Sequence, residues 1–142
     1  LQVLGAWGRP FQVFLNGTKL KLYGSQRSDF GGFVRGTLSW GATYNQKRFK
    51  IVARWNHRGQ RLDSVVPALD PNGSVYTIPR TIMDLNTEYR VKAGISVFAN
   101  AQNVFAVSDK VERFGVNTPV YARRTSDTNT GVLLTLGLKG SF

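Results

Sequence analysis

The residues that could do chemistry are few. His57 is the only histidine and there is no cysteine. Thiolate nucleophiles, disulfides and thiolate metal sites are therefore excluded, and a lone imidazole is a poor start for a metal site. An interfacial position on a strand is the expectation for His57. Asp84 and Glu88 are the carboxylates whose spacing invites an acid–base reading. On a strand they share a face, but four residues of rise separate them by about 13 Å. That exceeds the roughly 5–9.5 Å of a glycosidase pair. They are expected instead to join a charge network with Arg54, Arg58 and Arg90. Arg123 and Arg124 are a second cationic pair, suited to lipopolysaccharide phosphates or an anionic substrate, or else plain solvated charge. No nucleophile–base constellation, phosphate loop or metal-spaced cluster is present. The chain is expected to be no enzyme and to need no cofactor.

The bulk numbers narrow the class. The chain has 142 residues and a formal net charge of +11, from 19 Lys and Arg against 8 Asp and Glu. Such a charge suits nucleic acid, anionic lipid A and lipopolysaccharide, or a lumen that attracts anionic solutes. No apolar run approaches the roughly 18 residues of a membrane-spanning helix, which leaves barrel strands open. The sequence opens on Leu1, already strand-like, with no Met and no signal peptide, and is expected to be a fragment or a processed piece.

The elements that must position these residues are strands. In 131–142, Val132, Leu134, Leu136, Leu138, Gly140 and Phe142 fall on one face, with Gly131, Leu133, Thr135, Gly137, Lys139 and Ser141 on the other. A period of two with two unlike faces marks a strand between unlike surroundings. The same alternation recurs in 49–58, where Phe49, Ile51, Ala53, Trp55 and His57 oppose Lys50, Val52, Arg54, Asn56 and Arg58. Cations on one strand face are costly in a dry core and cheap facing water. Further strands are expected at 1–7, 11–25, 33–44, 80–91 and 94–105. Within 11–25 the apolar parity flips at Asn16-Gly17, which suggests a β-bulge at Gly17.

Connections alternate in length. Short turns are expected near Gly8, at 45–48 and at 90–93; longer loops are expected at 26–32, 59–79 and 106–130. Six of the eight acids fall in those loops (Asp29, Asp63, Asp70, Asp109, Glu112, Asp127). Short turns at one end and long loops at the other are the habit of up-and-down outer-membrane barrels. Aromatics gather at strand ends, as two interfacial girdles would require: Phe11, Tyr44, Phe49, Tyr89 and Phe142 on the short-turn side, Tyr23, Phe33, Trp55 and Phe105 on the loop side. The expected fold is all-β: an antiparallel up-and-down meander of about seven strands, an open curved segment of a large transmembrane β-barrel, covering 1–142 as one piece. Expected on the lipid side are Trp40, Ile51, Trp55, Leu85, Val97, Leu134, Leu136 and Leu138. Expected on the lumen side are Arg35, Lys50, Arg54, Arg58, Asp84, Asn86, Glu88, Arg90, Asn100, Gln102 and Lys139. Trp40, Tyr44, Trp55 and Tyr89 share faces with aliphatics while cations sit opposite, which counts against a nucleic-acid platform. A faint internal echo links Phe11-Gln-Val-Phe-Leu-Asn16 to Ile95-Ser-Val-Phe-Ala-Asn100.

These residues also carry a family resemblance. The run Pro79-Arg80-Thr81-Ile82-Met83-Asp84-Leu85-Asn86, then Tyr89-Arg90, then Val97-Phe98-Ala99-Asn100-Ala101-Gln102-Asn103-Val104-Phe105, resembles the penultimate hairpin of TonB-dependent receptors. Thr118-Pro119-Val120-Tyr121-Ala122-Arg123 and 131–142 resemble that family's last loop and closing strand. Gly140 departs from the bulky apolar residue common there. The resemblance implies roughly the last seven strands of a plugged barrel of about 22. It implies location in the outer membrane of a Gram-negative bacterium, contact with outer-membrane lipid and lipopolysaccharide, and import of a bulky scarce nutrient such as a ferric siderophore, cobalamin or a glycan. It further implies that Phe142 is read by the barrel-assembly machinery, and that the TonB complex acts through a plug domain outside these residues. Other outer-membrane barrels, such as a porin or an adhesin, remain an alternative, as does a soluble basic β-domain that binds nucleic acid or glycan.

Overall fold

A computed structural model describes residues 10–21, 23, 31–68 and 73–140. They form ten strands and one turn of 3-10 helix, with no α-helix among them. The strands are β1 (Phe11–Lys19), β2 (Gly36–Gln46), β3 (Phe49–Arg58), β4 (Arg61–Val65), β5 (Ser74–Thr77), β6 (Arg80–Lys92), β7 (Ile95–Gln102), β8 (Asp109–Phe114), β9 (Arg124–Thr128) and β10 (Leu133–Gly140). All pairings are antiparallel. They build a six-stranded sheet in the order β1-β2-β3-β6-β7-β10 and a four-stranded sheet in the order β4-β5-β8-β9.

The larger sheet is a meander interrupted twice. β2 and β3 join through Lys47-Arg48, and β6 and β7 through Ala93-Gly94, so both tight turns lie at one end. Lys47 (φ 35°) and Gly94 (φ 78°) supply the positive φ such turns use. The connections β1–β2, β3–β6 and β7–β10 all leave from the other end. The 59–79 and 106–130 stretches read as loops from sequence carry β4, β5, β8 and β9, which pair with one another as the second sheet. This corrects the sequence expectation. Their hydrophobic alternation is too short, and too broken by Pro and Gly, to signal strands without long-range partners.

The β3–β6 ladder ends at the pair Arg58↔Arg80. Gly59 and Pro79 follow on the two strands, and both residue types are found where ladders end. Gly59 donates to the Gly36 carbonyl at 2.8 Å, one step past the Thr37↔Arg58 pair of β2 and β3, and a Cβ there would lie 2.9 Å from that same oxygen. Val34 and Arg61 still pair in the same register, and β4 begins there.

Three further expectations change. Gly17 makes no bulge: β1 and β2 pair in unbroken register from Phe11↔Tyr44 to Lys19↔Gly36. Leu38 lies across from Gly17, so the missing side chain is a packing concession. The bulge in this sheet falls between Arg90 and Lys92, and the turn lies at 93–94 rather than 90–93. β1 also stops at Lys19, short of the expected 25, and β2 starts at Gly36 and runs on to Gln46. The strand expected at 1–7, Asp70 in the expected 59–79 loop and Phe142 lie outside the described residues.

Leu62, in the smaller sheet, is the one buried apolar side chain among the described residues. The larger sheet has no core on either side. On its edge strands the apolar residues stand open, with Val13 84% exposed, Leu15 74%, Leu136 69% and Leu138 77%, while Ile51, Trp55 and Leu85 on β3 and β6 are half-buried.

Candidate functional site

Register sorts the six-stranded sheet into two faces that run unbroken across it. On the first lie Phe11, Val13 and Leu15 of β1, then Leu38, Trp40, Ala42 and Tyr44 of β2, then Phe49, Ile51, Ala53, Trp55 and His57 of β3. Met83, Leu85, Thr87 and Tyr89 continue it on β6, Val97, Ala99 and Ala101 on β7, and Leu134, Leu136 and Leu138 on β10. Every residue expected on the apolar side is here. Near the tight turns Phe11 packs on Tyr44 (centroids 4.8 Å apart) and Phe49 on Tyr89 (6.5 Å). Further along, Trp40 and Trp55 stack nearly parallel at 6.5 Å. His57 also lies on this face, with Nδ1 2.9 Å from Thr81 Oγ1. From Phe49 to His57 the face runs about 27 Å along the strand.

The opposite face carries Lys50, Arg54, Arg58, Asp84, Asn86, Glu88, Arg90, Asn100, Gln102 and Lys139. Arg35 stands just ahead of β2. The expected network of Asp84 and Glu88 with Arg54, Arg58 and Arg90 is replaced by other partners. Asp84 accepts from Asn56 Nδ2 at 3.3 Å and from the Asn103 backbone N–H at 3.1 Å. Ser39 in turn donates to Asn56 Oδ1 at 2.8 Å, so a polar chain crosses β2, β3 and β6. Glu88 pairs with Lys139 of β10 at 3.8 Å. Arg54 faces Asp84 in register, yet its guanidinium lies 5.7 Å from the Phe14 ring centroid. Arg58 and Arg80 are cross-strand neighbours, a like-charge pair that needs a counter-ion. Asp109, the first residue of β8, supplies it: one oxygen is 2.7 Å from Arg58 and the other 3.4 Å from Arg80. Sequence spacing could not reveal this, because Asp109 is 51 residues from Arg58.

Two aromatic rings also belong to the polar face. Phe14 lies across from Gly41 and Phe98 across from Gly137. A Cβ on Gly41 would meet the Phe14 ring at 2.7 Å, and one on Gly137 would meet Phe98 at 2.4 Å. Each ring covers the bare backbone of a cross-strand glycine. This gives the internal echo a physical basis: both segments place a Phe over a glycine two residues before an Asn.

Sequence reasoning missed Asn103 as a fastener. At φ 52° it turns the chain out of β7, a conformation that asparagine tolerates well. Its side chain donates to the carbonyls of Val107 and Gly131, both at 3.1 Å, and accepts from Val107 N–H at 2.9 Å. The start of β10 is thereby tied to the end of β7.

In the smaller sheet, Arg61, Asp63 and Thr77 close a ring. Arg61 Nε donates to Asp63 at 2.7 Å, Arg61 Nη2 donates to Thr77 Oγ1 at 3.3 Å, and Thr77 Oγ1 donates to Asp63 at 2.5 Å. Burial pushes the Asp63 carboxyl up. The hydrogen bonds from Thr77 and Arg61, with the charges of Arg61 and Arg58, outweigh it and hold the carboxyl below its ordinary value near 3.8. Arg123 lies 5.5 Å from the Phe114 ring centroid, and Arg124 pairs with Asp127 at 3.4 Å. Both are thus tied into this sheet. No group of three His, Cys, Asp or Glu stands close enough to hold a metal among the described residues.

No family model, curated protein or solved structure matches the chain.

Proposed function

We propose that this chain is part of the wall of an outer-membrane transporter of the TonB-dependent kind, with the first face toward lipid and the second toward a hydrated lumen. The observation that carries this is the apolar face, continuous over six strands and uncovered. An apolar surface of that extent demands a partner. Lipid suits its form: a band about 27 Å long along the strand, or about 20 Å high at a barrel tilt near 40°, comes near the roughly 25 Å of outer-membrane barrels. Its aromatic pairs lie where an interface girdle belongs. The tight turns would face the periplasm and the second sheet the outside. The open edges of β1 and β10 would be closed by further barrel strands. The likeness of 79–105 and 118–142 to TonB-dependent receptors is what favours a nutrient importer over a porin or an adhesin. Import would require a plug domain and the TonB complex.

Tryptophan fluorescence tests the orientation. Trp40 and Trp55 on the lipid side should be quenched by brominated acyl chains after reconstitution into lipid vesicles. A folded, monodisperse, water-soluble monomer with no quenching would sink the membrane assignment.

A further inference from the structure

The polar face has an unexplained feature at its tight-turn end. Ser96, 8% exposed, is a small residue between two long cations: Arg90 is its cross-strand partner on one side and Lys139 on the other. The small side chain leaves a dip floored by Ser96 and bordered by Glu88, Arg90 and Lys139. An adjoining depression shares those three and adds Lys47, Arg48 and Lys50. The Arg48 carbonyl accepts the Arg90 N–H at 2.7 Å, which sets the turn beside β6. Five cations from a turn and three strands thus converge on one carboxylate. Among the described residues Glu88 pairs with Lys139, at 3.8 Å. The excess charge is local and stands on a sheet already crowded with cations, so repulsion within it favours an added anion.

From this we infer a binding site for a multivalent phosphate-type anion over Ser96, held by Arg90 and Lys139 with Lys50 and the turn residues Lys47 and Arg48 around it. Arginine presents a planar fork of donors that matches phosphate oxygens, and lysine adds point charge. Glu88 is the built-in competitor, because it holds Lys139 when the anion is absent. The inference rests on the assignment of this face as the hydrated one.

Inorganic pyrophosphate is the probe, titrated calorimetrically into the whole chain in a neutral sugar-headgroup detergent, with the β-sheet content of each variant matched by circular dichroism. Arg90→Gln and Lys139→Gln together should weaken binding about tenfold, since two charge-assisted contacts are lost. Glu88→Gln should tighten it about threefold by removing the competing charge, a gain that a merely structural role for Glu88 would not give. Lys110→Gln, the loss of one positive charge on the second sheet, should change affinity less than about twofold. Equal weakening by Lys110→Gln, or no gain from Glu88→Gln, would overturn the site. So would a glutamate decapeptide that binds there and resists displacement by excess pyrophosphate, which would make the occupant an acidic polypeptide. Competition by added phosphatidylglycerol would assign the phosphate to a lipid headgroup, and lack of it to a soluble solute; either upholds the site. Bromolipid quenching in the same samples tests the membrane assignment separately.

Discussion

Two glycines on the polar face show how single atoms set the sheet. Gly41 and Gly137 each lie under a phenylalanine, but they differ in what else is near. A Cβ at Gly41 would also come within 2.3 Å of the Ala53 carbonyl oxygen, whereas at Gly137 the nearest atoms all belong to the Phe98 ring. A ring can rotate or slide; a ladder carbonyl cannot. Gly41→Ala should therefore lower the folded yield and the denaturation midpoint clearly more than Gly137→Ala, with a cost of about 1–3 kcal/mol for the overpacking. Equal losses for the two would mean that the rings dominate at both sites. The glycines were visible in the sequence, but the partner strands that make them necessary were not.

At the scale of elements, the second sheet is held by polar fasteners more than by a core. Asp109 bridges Arg58 and Arg80, and Arg61, Asp63 and Thr77 lock β4 against β5. Because Asp63 ionises more readily folded than unfolded, its contribution is present in full above its unfolded value near 3.8 and fades as pH falls through the lower folded value. Amide exchange at Val75 and Thr77 should accelerate below about pH 3.8 relative to the six-stranded sheet, and Asp63→Asn should remove that acid-specific step. A wild-type hairpin whose relative protection is unchanged under acid would contradict this role. The larger strands were legible because each carries enough alternating residues to show its period; β3 has the bounds expected from sequence. β4, β5, β8 and β9 were not, since four to six residues between prolines, glycines and charges look like loop until a partner is present.

At the scale of the whole molecule, the decisive feature is a sheet with two unlike faces and no core. In the proposed wall, Leu136 lies toward lipid and Thr135, its neighbour in β10, toward the lumen. There Leu136→Arg should cost about 2–4 kcal/mol near the bilayer midplane and strongly cut the membrane yield of the complete protein. Thr135→Arg should be milder, as its charge meets water. Equal effects on heat-modifiable migration or membrane yield would show that the two faces do not meet unlike surroundings.

The sequence by itself determined the all-β class, the main strands and the sorting of residues between faces. Strict alternation fixes side-chain direction whatever the strand pairs with. The tertiary structure decided which groups meet. Asp109 between two arginines, Asn56 and Asn103 on Asp84, Lys139 beside Glu88 and Ser96 under two cations all depend on registers between strands distant in sequence. It also decided that the expected long loops become a second sheet, in which the chain beyond Arg58 finds partners for its backbone groups.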